Sequence, residues 1–177
     1  LASITLPAAA SHRCFVAEVM GRKCGYLSLM SGLATGAEKV YLNEEGITLK
    51  GLAVDSERMV ESFRSGRSLY LVIRNERASV NYTTDVLAHI FAEEGKGLYD
   101  VREAILGHQQ QGGSPTAFDR IMATKLVAHS LELLACALKH GEPTASYVGL
   151  VGGKVSDHPL DRMNDDLDRD NRRPRHQ

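Results

Sequence analysis

The residues of this 177-residue chain best suited to chemistry are Gly107-His108-Gln109-Gln110-Gln111-Gly112-Gly113. Glycines permit positive φ and let a ligand approach the main chain closely. His108 and the three amides, Gln109, Gln110 and Gln111, can bond phosphate oxygens or sugar hydroxyls. Ser114-Pro115, just beyond, reads as the N-cap and first residue of a helix whose free N–H groups would face an anion. A tight strand-to-helix turn with solvated glutamines accounts for the same spacing equally well. Met20-Gly21-Arg22 is a second group. An arginine beside a glycine suits bidentate capture of a phosphate, yet a surface arginine near a helix start is the commoner use of that residue. Arg13 and Arg102 flank expected strands and carry the same two readings. Glu76 can bond sugar hydroxyls, or serve as a solvated partner of Arg74 or Arg77.

Short apolar runs alternate with helical stretches, and these elements must position the groups above. Strands are expected at Cys14–Val19, Lys39–Leu42, Ser68–Ile73, Ala104–Leu106 and Ser146–Val151. Between them, Cys24–Gly36 reads as a helix stopped by its glycine. Asp55 reads as the cap of a second helix, with Met59, Val60 and Phe63 on its apolar side and its end near Gly66. Thr83 or Thr84 caps a third, with Val86, Leu87, Ile90 and Phe91 on one face. The longest helix starts at Ser114-Pro115 and carries Phe118, Met122 and Leu126 as a stripe. Five strands alternating with four helices imply an α/β fold with a mostly parallel sheet. Ligands of such sheets sit beyond the carboxyl ends of the strands, which is where three polar loops fall: Met20-Gly21-Arg22, Arg74-Asn75-Glu76 and Gly107–Gly113.

Composition narrows the classes. Lys+Arg (21) and Asp+Glu (22) nearly cancel, so no global field favours nucleic acid or a membrane surface. No uninterrupted apolar run approaches the roughly 18 residues of a membrane helix. Cys14, Cys24 and Cys136 make no metal-binding or disulfide pattern, and a reducing cytoplasm fits them. Of the histidines, His12, His89, His129, His140, His158 and His176 stand at no ligand spacing. Residues 155–177 hold six Asp and five Arg among few apolar residues. That segment reads as a charged tail unable to fold alone.

Two long runs carry a resemblance. Arg13 to Leu27 (RCFVAEVMGRKCGYL) and Leu106 to Arg120 (LGHQQQGGSPTAFDR) resemble the sugar-phosphate loops of the ATP-dependent 6-phosphofructokinase family, and the likeness extends over residues 11–177. Eukaryotic members resemble a duplicated ancestor with a catalytic N-terminal half and a C-terminal half turned into an activator site. In catalytic halves the glycine loop reads His-x-Gln-Arg-Gly-Gly; here Gln111 takes the place of that arginine. Arg74-Asn75-Glu76 followed by Tyr82-Thr83-Thr84-Asp85 also resembles the C-terminal half. Met20-Gly21-Arg22 departs from it, since activator halves often carry Met-Gly-Gly.

The resemblance implies a phosphofructokinase-like α/β region at 13–154 within a larger subunit, preceded by a lead-in at 1–12 and followed by the tail at 155–177. It implies a fructose 2,6-bisphosphate site lined by Arg13, Met20, Gly21, Arg22, Glu76, Arg102, His108, Gln109, Gln110 and Gln111. Arg172, in a closing Arg-x-Pro, would be a further phosphate ligand. In the family the counterparts of Arg13 and Arg102 reach the sugar phosphate across a subunit interface, which implies a homo- or hetero-oligomer, tetrameric or larger. The parent enzyme would transfer phosphate from ATP, with Mg2+, to fructose 6-phosphate in glycolysis. The family's Gly-Gly-Asp-Gly nucleotide loop and Thr-Ile-Asp-Asn-Asp catalytic segment do not occur in this sequence, so ATP and Mg2+ would bind outside it and no catalytic residue is assigned within it. Two alternatives stay open: the fructose 6-phosphate part of a catalytic half, and a stand-alone sugar-phosphate-binding protein.

Overall fold

The computed structural model describes residues 12–141, 145–170 and 173–175; Arg172 and residues 1–11 of the lead-in lie outside them. The chain divides between Gly112 and Gly113 into two compact units.

The first unit is built on four parallel strands, β1 (Arg13–Val19), β2 (Lys39–Tyr41), β3 (Leu69–Asn75) and β4 (Asp100–Ile105), in the spatial order β2-β3-β1-β4. Helix α1 (Tyr26–Thr35) links β1 to β2, α2 (Leu49–Arg64) links β2 to β3, and α3 (Thr84–Gly95) links β3 to β4. The first crossover travels toward one sheet edge and the next two toward the other. Right-handed connections therefore send α1 to one face and α2 and α3 to the opposite one. The core follows this division. Cys14 and Val16 of β1 and Tyr70 and Val72 of β3 pack under Leu52, Met59 and Phe63 of α2 and Leu87 and Phe91 of α3. Ala17, Val19, Leu71 and Ile73, the alternate residues, form the cluster on the other face. There α1 presses so closely on β2 that a Cβ at Gly32 would meet Val40 Cγ2 at 2.4 Å.

Two expected helix starts move. Asp55 is not a cap: α2 begins a full turn or more earlier, at Thr48, whose hydroxyl accepts from the Gly51 N–H. Asp55 sits buried inside the helix, accepting from the Tyr41 hydroxyl at 2.9 Å and pairing with Lys39 at 2.9 Å. Its carboxylate answers two strand residues that sequence distance hides. In the second unit α4 (Ala117–His140) is capped by Thr116, not Ser114, through a reciprocal capping box with Asp119. Of the two threonines before α3, Thr83 is the cap.

The fifth strand also differs from expectation. β5 (Ser146–Val151) joins no parallel sheet; it pairs antiparallel with β6 (Lys154–Pro159) around Gly152-Gly153. The segment read as a charged tail unable to fold alone supplies β6, a short helix α5 (Met163–Asp166), and the two-residue pair β7 (Leu167–Asp168) and β8 (Arg173–Pro174). Backbone pairing with β5, a hydrogen bond between Asp157 and His129 of α4, and the Tyr147 hydroxyl on Asp166 hold a sequence that has little apolar surface to bury. Among the described residues α4 alone is long and apolar enough to cross a membrane by length and composition, although Lys125 and Glu132 interrupt it. None of its residues is buried.

Candidate functional site

Adjacent strands β3 and β1 send their chains to opposite faces, one to α3 and the other to α1. Their carboxyl ends diverge and leave a crevice, the place where open α/β sheets bind ligands. The loop after β4 lies on the other side of β1. All three loops marked in the sequence thus meet at one sheet edge.

The meeting is made by hydrogen bonds. The Glu76 N–H donates to Val19 O (3.0 Å) and the Leu106 N–H to Glu18 O (3.2 Å), bracketing the end of β1. The Gly21 N–H donates to the Glu76 carboxylate (3.2 Å), and the Met20 N–H to Gln110 Oε1 (2.8 Å). Residues Gly107–Gln111 form a short 3-10 helix that Gly107 opens with φ 47°. His108, Gln109, Gln110 and Gln111 are exposed on it, and Arg22 and Lys23 are exposed on the β1 loop. Crevice and rim together present amides, an imidazole, two cations and one carboxylate. That set can bind a ligand that is both anionic and hydroxylated.

Gly21 is required by space. A Cβ there would lie 2.5 Å from Asn75 Nδ2 and 2.5 Å from Cys24 O. Asn75 itself is fully buried; it donates to Cys24 O (3.4 Å) and accepts from the Arg77 N–H (2.9 Å), tying the β1 loop to the turn after β3. At the far end of the loop Glu44 accepts from the Gly25 N–H through both oxygens, at 2.9 and 3.1 Å.

Arg13 and Arg102 are not part of this crevice within the chain. Arg13 opens β1, about 20 Å of strand away from Val19. Arg102 lies on the edge strand β4 opposite Phe15, with its guanidinium 3.9 Å from Asp100. Strand alternation puts both on the α1 side of the sheet. The Arg13 Nε is enclosed yet bonded to no group among the described residues. The start of α4 is no anion site either, because Asp119 already occupies it with a carboxylate bonded to Thr116. A separate groove of about 430 Å3 in the second unit, bordered by Lys125, His129, Glu132 and Lys154, contains none of the residues marked in the sequence.

The model of the phosphofructokinase family matches residues 1–134. The chain belongs to the phosphofructokinase family. It is 45% identical over 179 residues to the ATP-dependent 6-phosphofructokinase of Dictyostelium discoideum, covering 100% of this chain and 22% of that protein. The human muscle-type ATP-dependent 6-phosphofructokinase is 44% identical over 132 residues, 75% of this chain and 17% of its own length. Phosphofructokinase from Saccharomyces cerevisiae superposes with a TM-score of 0.85 at 35% identity, over 94% of this chain and 23% of that one. A pyrophosphate-dependent phosphofructokinase from Marinobacter aquaeolei shares the fold alone, with a TM-score of 0.67 at 16% identity over 98% of this chain and 48% of its own. The chain spans about a fifth of the curated relatives it matches.

In this phosphofructokinase segment the sequence did not reveal four residues that shape the crevice. Glu44 and Asn75 hold the Met20–Gly25 loop from both sides. Arg74, only 2% exposed, does not pair with the Glu76 carboxylate; it pairs with Glu18 at 2.7 Å. The one available signal was an arginine directly after the apolar run Leu69–Ile73, in register with its inward residues Tyr70 and Val72, where a charge demands a buried partner.

Proposed function

We propose that the segment is part of a cytosolic, oligomeric ATP-dependent 6-phosphofructokinase, which phosphorylates fructose 6-phosphate with ATP and Mg2+, and that its crevice binds fructose 2,6-bisphosphate as an activator. The observation that carries this is the convergence of the Met20-Gly21 backbone, Glu76 and Gln110 beside an exposed His108–Gln111 helix. The glutamine amides offer neutral hydrogen bonds for sugar hydroxyls, the remaining lone pairs of the Glu76 carboxylate accept from them, and Arg22 supplies charge to one phosphate. Gln111, where a catalytic half would present arginine, favours the activator role. The distant placement of Arg13 and Arg102 supports their serving a neighbouring subunit's ligand. Arg172, outside the described residues, belongs to the same proposal as a second phosphate contact. ATP and Mg2+ would be held by parts of the subunit beyond this segment.

Arg22 favours a second reading, the fructose 6-phosphate site of a catalytic half. The two separate in a complete subunit carrying the nucleotide loop. Arg102→Ala is expected to abolish activation by fructose 2,6-bisphosphate, a loss of about 1.5–3 kcal/mol for a hydrogen bond to a charged group. Initial rates against fructose 6-phosphate, with and without the bisphosphate, measure it. A large fall in turnover without effector would move the segment to the catalytic half.

A further inference from the structure

At the carboxyl end of β3, Arg74, Asn75 and Glu76 point in turn to the α2–α3 side, to the α1 side and to the crevice rim. Arg74 never reaches the crevice. Its guanidinium donates to Glu18 Oε2 (2.7 Å), Ser79 O (2.6 Å) and Tyr82 O (3.0 Å), and lies 3.4 Å from Glu76 O. The three carbonyls span the whole turn between β3 and α3. Glu18 in turn accepts from the hydroxyl of Thr84, the first residue of α3. One buried planar fork therefore gathers β1, the 76–82 turn and the start of α3. Burial pushes the guanidinium down from its ordinary value while Glu18 opposes this; an arginine stays charged throughout.

We propose that Arg74 is a positioning residue for the sugar-phosphate crevice: it fixes the turn that carries Glu76, and through the Glu76 carboxylate it fixes the Gly21 N–H and the β1 loop. This rests on the crevice being the sugar-phosphate site. Lysine cannot substitute. An ammonium is a single point, whereas the acceptors lie around the edges of a plane several ångströms wide. A loosened turn would let Glu76 leave Gly21, and the cost would fall on ligand affinity.

The test uses the complete subunit with Arg74→Lys, Glu76→Ala and the double variant. Titration calorimetry with fructose 2,6-bisphosphate is expected to show Arg74→Lys binding about tenfold more weakly, and the double variant no more weakly than Glu76→Ala alone. Without ligand, hydrogen exchange at Met20 and Gly21 should quicken in Arg74→Lys while the amides of β1 and β3 keep their protection. Glu18→Gln, which keeps the side-chain shape, should quicken the same amides and serves if Arg74→Lys fails to fold. Additive losses in the double variant, faster exchange across the whole sheet, or unchanged exchange at Gly21 would each overturn the assignment. A wild-type subunit in which no sugar phosphate protects these loops would instead overturn the functional reading, and the ligand-free exchange would still judge Arg74 independently.

Discussion

A methyl group at position 21 would need the space held by Asn75 Nδ2 and the Cys24 carbonyl, both at 2.5 Å. Neither neighbour can retreat cheaply, since one is a fully buried side chain and the other is backbone. Gly21→Ala is expected to destabilise the fold by about 1–3 kcal/mol, read as a lower urea midpoint, and to weaken sugar-phosphate binding by displacing the N–H that meets Glu76. Stability kept with binding lost would mean the loop shifts as a body; both kept would contradict the crowding. Gln111 makes the complementary case. Exposed on its 3-10 helix, it should accept arginine without loss of stability, and Gln111→Arg is expected to tighten inorganic phosphate binding by adding a charge-assisted bond.

Helix ends separate local from tertiary roles. Thr48→Ala should cost about 1 kcal/mol, the usual value of an N-cap. Asp55→Ala should cost about 2–3 kcal/mol, because the Tyr41 hydroxyl would be left buried without its acceptor; the Asp55 carboxylate also raises the Tyr41 pKa, after desolvation. Equal losses in denaturant melts would return Asp55 to a capping role. At α4 the Thr116 hydroxyl, and then its N–H, hold the Asp119 carboxyl below its ordinary value. A depressed carboxyl stabilises above its unfolded pKa, and that contribution disappears as pH falls through the folded one. The helicity difference between wild type and Asp119→Asn, present at pH 7 by circular dichroism, should therefore shrink as pH falls below the ordinary carboxylate range, where the Asp119 carboxylate is protonated.

The two units leave much apolar surface open. Tyr26, Leu27, Met30 and Leu33 are exposed on α1, and Phe118, Ile121, Leu131, Leu134 and Leu138 on α4. The edge of β4 carries no further strand among the described residues. Surface of that kind drives association, so the isolated 177-residue chain should self-associate in sedimentation velocity; a cooperatively melting monomer would refute this. The same chain should show no fructose 6-phosphate-dependent ADP release, because it lacks the nucleotide loop and the catalytic aspartate segment that phosphoryl transfer requires.

Sequence alone determined the parallel core and the three crevice loops, because both are local: two-residue alternation writes strands, and polar residues, with glycine in two of the three loops, mark strand ends. It also marked Glu76 and Gln110 as candidates for the proposed site. Which groups those side chains would hold was decided only by strand order. Setting β1 between β3 and β4 brings residues 21 and 76, and residues 20 and 110, within hydrogen-bond reach. The same order gave Arg74 to Glu18 and Asp55 to Tyr41 and Lys39, partners that no spacing along the chain could show. β5 was legible as a strand but not as a hairpin, since its partner lay in a charged segment with few apolar residues to mark a strand. Backbone pairing does not depend on apolar content, and that is why composition did not show the partner strand.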